Sequence, residues 1–546
     1  MEKETLTLNY ESNEEIEIEE LIPEDKKHTF IRAEVDGRLR ELSYLVKGPC
    51  KITLFNIVDS ESVLIYKNSL RYVISMAIHN LYPKMPVIFS NDISRTMYCA
   101  PVDTKYTINL TKLKAIEDEV KRLISLDLPI TKRLVTKAEA RRDYKSLGMA
   151  DKLGILKYRS EQMVHQYACL DYRDYMYGYM IPSTGYLNKF KFIPSTPGFL
   201  IQFPRSESDG ELPPFVRENV FSKTINASRN WGKLVGVDTI SGINSMVEEL
   251  GSTDFIMMSE AHHSNMLAEL TDRIIKSESP IRLICIAGPS SSGKTTFANR
   301  LRLQLLSIGI RAIRISIDDY YLSRDEIKRD ENGEIDLESV DALDIKLLNE
   351  QMLQLIEGDE VVLPHFDFKL GKRVPGRKLK VEKNQPIIIE GIHALNDDLT
   401  SLISKSQKFK IFIAPQAQIN IDNHNPISLT DLRLLRRIVR DSKFRHASAE
   451  ETIRMWPSVR NGEFKWIYKT QESADYVFNS FLPYELCVMK EYAYPLLAKV
   501  DKNSDCYITC RRLLLFLKYL VNIEEDDVPD NSLMREFIGG SCFKDV

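Results

Sequence analysis

The sequence predicts an α/β protein whose back half holds a parallel sheet covered by helices on both faces. Short apolar runs at Leu283–Ala287 and 387–389 are separated by helical patterns, and neither run alternates with polar residues as a half-exposed strand does. The front half differs, because alternating strand segments come first and mixed helices and strands follow. A chain of 546 residues is too long for one domain. We therefore predict a small β-rich domain, an α+β domain, a helical connector and an α/β domain, at residues 1–60, 61–230, 231–275 and 276–546.

Composition excludes several classes of protein. The 74 Lys and Arg residues nearly balance the 78 Asp and Glu residues, and a net charge of -4 is not that of a dedicated nucleic-acid coat. The chain starts without the basic and then apolar segment of a signal peptide, and no apolar stretch approaches the ~20 residues that span a bilayer. Eight cysteines are scattered without a C-x-x-C pair, which is typical of free thiols in a reducing compartment. We expect a cytoplasmic protein with no membrane segment.

The front elements follow from alternation and turn residues. Alternating apolar residues at 15–19 and 30–35 predict half-buried strands, and Asp36 with Gly37 predicts a tight hairpin turn. Apolar residues at helical spacing predict packed helices near 72–81 and 116–126. Histidines 262 and 263 of the connector have no cysteine or carboxylate at metal-like spacing, so we interpret them as ordinary helix residues.

The strongest motif lies between the first strand of the back half and the helix that follows it. Residues 288–295 fit the pattern G-x-x-x-x-G-K-[ST]. Glycines let the backbone wrap a phosphate, and N–H groups at the helix start point toward its oxygens. Lys294 is expected to reach the β- and γ-phosphates, and the Thr295 hydroxyl to bind Mg²⁺. The predicted nucleotide-binding set is Gly288, Pro289, Ser290, Ser291, Ser292, Gly293, Lys294, Thr295 and Thr296.

Two carboxylates are predicted at the same sheet edge. Asp318 follows the second strand, where an acid lies beside the γ-phosphate and accepts the proton of an incoming hydroxyl or helps to hold Mg²⁺. Asp319 is the second candidate for this role, and the alternative is a loop acid that caps the next helix. Glu390 ends the apolar run 387–389 and is expected to orient a Mg²⁺-bound water.

An arginine-rich segment follows Asp431. Three of its arginines share one helix face by their spacing, and a cationic face that closes over a transferring phosphate suits phosphoryl transfer. The alternative is a solvated basic helix. A further basic stretch at 369–383 is interpreted as an exposed hairpin near the substrate entrance. The arginines of the segment are Arg433, Arg436, Arg437, Arg440 and Arg445. Of these, Arg433, Arg437 and Arg440 share the face.

From about residue 280 to 545 the chain resembles the uridine kinase and phosphoribulokinase family of P-loop kinases. The resemblance rests on ordered motifs at 288–296, 316–318, 341–344, 364–368, 390–391 and 436–441. It implies ATP as the phosphate donor, Asp318 as the catalytic base and Glu338 as the residue that holds ribose hydroxyls. It also implies that Arg437 helps to bind the nucleoside and that Arg440 and Arg445 reach the ATP phosphates from a lid.

Three positions depart from the family pattern. Phe366 stands where uridine kinases read the pyrimidine with a tyrosine, Gly371 where they have a histidine, and Ala447 where they have a second lid arginine. Polar groups of this kind confer strong specificity, and their loss removes it. The resemblance therefore implies phosphoryl transfer to a nucleoside-like small molecule that Phe366 contacts, without implying uridine.

The front half resembles threonyl-tRNA synthetase. Residues up to about 60 resemble its small β-grasp (TGS) domain, and residues 65–71 and 174–184 resemble its editing domain. The synthetase pattern has histidines at the positions of Lys67 and Arg71, and cysteine and histidine at those of Met176 and Met180. With these four metal-capable positions changed, we expect neither editing hydrolysis nor zinc.

Two functional hypotheses follow. In the first, the chain is an ATP- and Mg²⁺-dependent kinase that phosphorylates a hydroxyl of a nucleoside-like molecule. In the second, it is a nucleotide-hydrolysing regulator whose front domains bind tRNA or ribosome-associated RNA. The net negative charge and the changed editing positions count against the second. No base-reading motif outside the phosphate loop distinguishes ATP from GTP.

Overall fold

The computed structural model describes residues 4–327, 336, 338–367 and 370–544. Phe368 and Lys369, which belong to predicted motifs, lie outside this range. Within it, no helix combines the length and the apolar character needed to cross a membrane.

The first sheet is antiparallel with the strand order β1-β6-β3-β4. Asp36 and Gly37 both have positive φ, 48° and 74°, which is the two-residue hairpin turn that the sequence predicts. The strand predicted at 15–19 is wrong beyond Glu17. The backbone turns there, because the N–H groups of Ile18 and Glu19 donate to carbonyl oxygens at 44 and 42 while the Ile18 side chain enters the core. The strands of this region are β1 (Thr5–Tyr10), β2 (Ile16–Glu17), β3 (Phe30–Val35), β4 (Arg38–Arg40), β5 (Leu45–Val46) and β6 (Cys50–Asn56).

The next region holds two antiparallel sheets, β12-β13-β8-β7 and β11-β10-β9. Its first helix packs on the first sheet, so Phe30 and Ile52 share a hydrophobic core with Leu70 and Phe199. The elements are α1 (Ser60–Leu81), β7 (Val87–Asn91), β8 (Met97–Pro101), α2 (Leu110–Ser125), β9 (Thr131–Thr136), α3 (Lys137–Ser146), α4 (Ala150–Tyr158), β10 (Met163–Cys169), β11 (Tyr172–Asp174), β12 (Lys191–Ser195) and β13 (Gly198–Gln202).

Three connector helices join the halves: α5 (Asn219–Val235), α6 (Ile240–Leu250) and α7 (Ser252–Ile275). Helix α5 begins at Asn219, before the predicted start of the connector at residue 231. The reason is that Phe221 and Ile225, one turn apart, are buried against the core of the back half. Tyr98 and Leu200 of the front half join the same cluster, so the hydrophobic core continues across the two halves.

The back half contains the predicted parallel sheet, with the order β15-β18-β14-β19-β22. Its elements are β14 (Leu283–Ala287), α8 (Lys294–Ser307), β15 (Ile313–Ser316), α9 (Ile345–Glu357), β16 (Glu360–Asp367), β17 (Lys372–Lys380), β18 (Ile387–Glu390), β19 (Lys408–Ala414), β20 (Asn420–Asp422), β21 (Asn425–Pro426), α10 (Leu429–Arg445), α11 (Ala449–Gly462), β22 (Tyr476–Asn479), α12 (Glu485–Ala498), α13 (Tyr507–Leu517) and α14 (Arg535–Ile538).

Successive residues of β14 enter different cores. Ile284 and Ile286 pack with Leu301 of α8, whereas Leu283 and Cys285 belong to the cluster on the opposite face. The sheet is therefore buried on both faces, and the predicted α/β class is confirmed. Strand order reverses around β14, and the loop after such a strand opens at the carboxyl edge of the sheet, where α/β proteins bind ligands.

Candidate active site

The phosphate loop, residues 288–293, joins β14 to α8, and its glycines are required by close contacts. A Cβ on Gly288 would lie 2.0 Å from the carbonyl oxygen of Ile413. Gly293 has a φ of +89°, which L side chains rarely adopt. The N–H groups of residues 290–295 have no acceptor within the described chain, so they are available to a bound anion.

Hydroxyl groups line the same loop. The side-chain oxygens of Ser291, Ser292 and Thr296 are buried without a hydrogen-bond partner among the described residues. Buried polar atoms normally find partners, so these three fit a ligand that is rich in acceptor oxygens. The cradle and its hydroxyls therefore suit a nucleotide phosphate.

Lys294 opens α8 and lies over the loop. Its Nζ donates to the carbonyl oxygens of Gly288 and Pro289, at 3.0 and 3.2 Å. Burial lowers the pKa of Lys294, and the negative charges of Glu390 and Asp318 oppose this without reversing it. A buried ammonium with incomplete charge compensation is suited to a phosphate.

The structure separates the two acids that follow β15. Asp319 Oδ1 lies 2.9 Å from His365 Nδ1 and accepts the Phe366 N–H at 3.3 Å, so Asp319 anchors the β16–β17 hairpin. Asp318 interacts electrostatically with Lys294: burial raises the pKa of Asp318, and the charge of Lys294 opposes the rise. Asp319 is thus engaged with the hairpin, and the catalytic role of Asp318 stays a prediction.

Glu390 ends β18 beside the loop and is buried. It accepts a hydrogen bond from Arg314 Nη1 at 3.1 Å. Burial first, and then the charge of Asp318, raises the pKa of Glu390 to about 7, against the opposing effects of Arg314 and Lys294. Carboxylate and hydroxyl oxygens are ligands that Mg²⁺ prefers, and the binding of a metal by Glu390 and Thr295 stays a prediction.

Helix α10 holds the loop through its arginines. Arg433 donates to the carbonyl oxygen of Ser290 at 3.0 and 3.2 Å, and Arg437 Nη1 donates to the Ser290 hydroxyl at 2.9 Å. Arg436 is 1% exposed and donates to the Ser291 carbonyl oxygen at 3.4 Å. These three are not the solvated arginines of a surface helix.

The last two arginines of the segment lie further along α10. Arg440 donates to Asp441 at 2.8 Å, and Arg445, which is more exposed, lies 3.6 Å from the same carboxylate. The charge of Arg445 also acts to lower the pKa of Asp318, against the effect of burial. Their contact with ATP phosphates stays a prediction.

Two of the predicted acceptor residues, Glu338 and Phe366, are half-buried and buried, respectively. Glu338 packs against Gly462, and its pKa is raised by burial and by Glu463, while Arg437 opposes this. Phe366 is buried against Tyr321, with 5.7 Å between ring centroids.

At Gly371, where uridine kinases have histidine, an added Cβ would lie 2.6 Å from the Arg324 side chain. Arg324 therefore occupies space that an imidazole would need.

The front half contains a second set of buried charges. We call the groove lined by Arg71, Lys152, Asp174 and Met176 the front cleft. It is filled by the insert hairpin, residues 420–426, which the back half inserts between β19 and α10. The Phe89 N–H donates to the Asn423 carbonyl oxygen at 2.8 Å.

Charged side chains of the insert hairpin pair inside the front cleft. Lys152 lies 2.8 Å from Asp174 and 2.9 Å from Asp422, and His424 Nδ1 lies 2.6 Å from Asp174. The Asn425 side chain binds the main chain on both sides of Met176. The insert hairpin thus supplies the partners of the buried charges in the front cleft.

Sequence reasoning missed three parts of this arrangement. The sequence indicates an arginine cluster, but it does not indicate that Arg433 and Arg436 donate hydrogen bonds to carbonyl oxygens of the phosphate loop. The helical spacing of the arginines was the one available signal of a shared role. Sequence reasoning did not anticipate the insert hairpin or the contact between Glu536 and α8, because both join residues that are distant in the sequence.

Comparisons with known proteins agree with this geometry. The family model described as Phosphoribulokinase / Uridine kinase family matches residues 283–484. A uridine kinase of Ureaplasma parvum serovar 3 is 30% identical over 185 residues, which cover 34% of this chain and 80% of that protein. A uridine kinase of Lactobacillus johnsonii is 31% identical over 205 residues, covering 37% and 88%.

The chain belongs to the phosphoribulokinase and uridine kinase family. This membership makes it a phosphotransferase. The chain is also similar to a threonine–tRNA ligase of Methylococcus capsulatus, with 30% identity over 162 residues that cover 29% of this chain and 25% of the ligase.

Proposed function

We propose that this chain is an ATP- and Mg²⁺-dependent kinase that transfers the γ-phosphoryl group to a hydroxyl of a nucleoside-like small molecule. The observation that carries the proposal is the phosphate cradle, whose N–H groups at 290–295 and buried hydroxyls have no partner among the described residues. Asp318 supports it, because this acid interacts electrostatically with Lys294 while Asp319 is engaged with His365. A free acid beside a phosphate cradle is what transfer to an alcohol requires.

Asp318 accepts the proton of the acceptor hydroxyl. Burial raises its pKa, which makes the carboxylate a stronger base than an exposed aspartate, and the charge of Lys294 opposes the rise. The hydroxyl oxygen then attacks the γ-phosphorus as the bond to the leaving ADP oxygen breaks. Glu338, Phe366 and Arg437 orient the acceptor so that this hydroxyl faces Asp318.

The phosphate loop and the first turn of α8, together residues 288–296, hold the donor. Their N–H groups and Lys294 bind the phosphate oxygens, and Arg440 and Arg445 add positive charge from α10. Thr295 and Glu390 would hold Mg²⁺, which supplies charge neutralisation at the phosphates. The arginines that grip Ser290 and Ser291 fix the loop before substrates bind.

A nucleoside and sugar panel tests this proposal. The purified protein with ATP and Mg²⁺ is expected to form ADP with at least one acceptor, and Asp318→Asn to lower kcat at least ~10²-fold while ATP still binds. Asp319→Asn is the matched control, because it removes a carboxylate one residue away and is expected to leave most activity. ADP formation that no acceptor stimulates, or equal losses in both variants, would contradict the proposal.

We assign residues 1–60 and 61–230 to TGS-like and editing-like domains that support the kinase rather than bind RNA. The RNA-binding regulator is less well supported, because the insert hairpin fills the front cleft. Binding of bulk tRNA to the full chain that weakens steeply as salt rises would favour the regulator instead.

A further inference from the structure

The C-terminal segment, residues 530–540, lies against the phosphate loop. Leu533 packs on Gly293, where an added Cβ would lie 3.1 Å from Leu533 Cδ2. Glu536 reaches the first turn of α8, and its Oε2 accepts the Thr296 N–H at 3.0 Å. The Glu536 charge also pushes the pKa of Lys294 and that of Glu390 upward. A carboxylate of the chain thus lies within the predicted phosphate site.

Thr296 differs in this respect from its neighbours. The N–H groups of residues 290–295 have no acceptor within the described chain, whereas the Thr296 N–H has Glu536. The start of a helix attracts any anion, whether it is a side chain or a phosphate. Glu536 therefore uses a donor that a nucleotide phosphate would also use.

The backbone of the segment is fixed by packing on both sides of Glu536. Leu533, Phe537 and Ile538 are buried. The Ile538 carbonyl oxygen accepts a hydrogen bond from Lys443, and the Arg436 guanidinium lies 5.0 Å from the centre of the Phe537 ring. The Glu536 side chain itself is only half-buried, so it can turn without unfolding the segment.

We propose that Glu536 is a built-in competitor of the nucleotide phosphates. An N–H shared between two anions bonds to each more weakly, and the repulsion between the anions is strong in a partly buried site. Nucleotide binding therefore requires Glu536 to turn away from Thr296, and the affinity of the resting protein is lower than the loop alone would give. This inference rests on the proposed function, since it requires a nucleotide at the loop.

Calorimetric titration of the full chain with Mg²⁺ and ATP tests the competition. Glu536→Ala is expected to bind ATP about tenfold more tightly than the wild type, because both the competing acceptor and the repelling charge are gone. Glu536→Gln keeps an acceptor oxygen without the charge and should lie between them. Asp526→Ala removes an exposed carboxylate upstream of the segment and should bind like the wild type.

Thermal unfolding distinguishes a competitor from a helix cap. Loss of the Thr296 contact should lower the Tm of Glu536→Ala by roughly 1–2 °C while ATP affinity rises. If Glu536 had only a structural role, its removal would lower both the Tm and the ATP affinity, or would leave the ATP affinity unchanged. Either result overturns the inference. If Glu536→Ala does not fold, the Glu536→Gln titration decides.

The remaining outcomes separate this inference from the proposed function. Tighter binding by the Glu536 variants without any phosphorylated acceptor supports the competition and contradicts the kinase proposal. A wild type and variants that all fail to bind ATP contradict both.

Discussion

The front cleft and the phosphate loop both bury charged side chains, and they differ in how those charges are compensated. In the front cleft, Lys152 contacts two carboxylates at once. Burial alone would raise the pKa of Asp174, but Lys152 and His424 outweigh it and lower that pKa to about 2. At the loop the balance is reversed, since burial and Asp318 raise the pKa of Glu390 to about 7.

This difference indicates which charges hold the fold and which are placed for ligands. Charges that pair within the protein stay in one protonation state and fix two elements together. Charges that are buried without full compensation change state near neutral pH, and such groups concentrate at functional sites. The charges at the phosphate loop are of the second kind, and the charges in the front cleft are of the first kind.

Removing the cation from the paired charges of the front cleft should have the largest effect on stability. Lys152→Met leaves Asp174 and Asp422 buried without their cation, and we expect a loss of ~3–5 kcal/mol in the free energy of unfolding. Urea unfolding measures this, with Lys145→Met, an exposed lysine of the same region, as the control. ATP turnover of the folded variant should change little. A loss below ~1 kcal/mol would show that the network does not hold the halves together.

The pH dependence of turnover should reveal the buried charges at the phosphate loop, which are not fully compensated by opposite charges. Because the pKa of Glu390 is raised, its ionised form accumulates only as pH passes about 7. If that form holds Mg²⁺, kcat/KM falls ~tenfold for each pH unit below 7. Asp174, whose pKa is lowered, stays ionised over the same range.

A steady-state profile with Mg²⁺ and ATP from about pH 5.5 to 9 measures this inflection. Glu390→Gln should lower the plateau and remove the inflection. A profile that is flat between about pH 6 and 8 in the wild type would contradict the role given to Glu390.

The smallest effect is expected at the acceptor. Phe366→Tyr restores the hydroxyl with which uridine kinases read the base, and one hydrogen bond is worth about 0.5–1.5 kcal/mol, or ~2- to 12-fold. Uridine turnover should rise within this range and no further, because Gly371 still has no imidazole. Rates with the best acceptor of the panel provide the control, and a larger gain for uridine would mean that the site is already built for it.

The sequence predicts well those features that depend on neighbouring residues. The phosphate loop, the buried strands and the hairpin turn at Asp36 are set by patterns of a few residues. The insert hairpin was not predictable, because Asp422 and His424 form a polar loop until Lys152 and Asp174 are brought to them through the fold. Long-range polar pairing leaves no period in a sequence.

The insert hairpin also determines how tightly a free ligand would have to bind in order to enter the front cleft. A segment attached to the same chain acts at an effective concentration on the order of millimolar. A free ligand at about 1 μM would have to bind the cleft roughly a thousandfold more tightly than residues 420–426 do to displace half of them. Attachment to the same chain therefore lets residues 420–426 hold the front cleft shut by mass action.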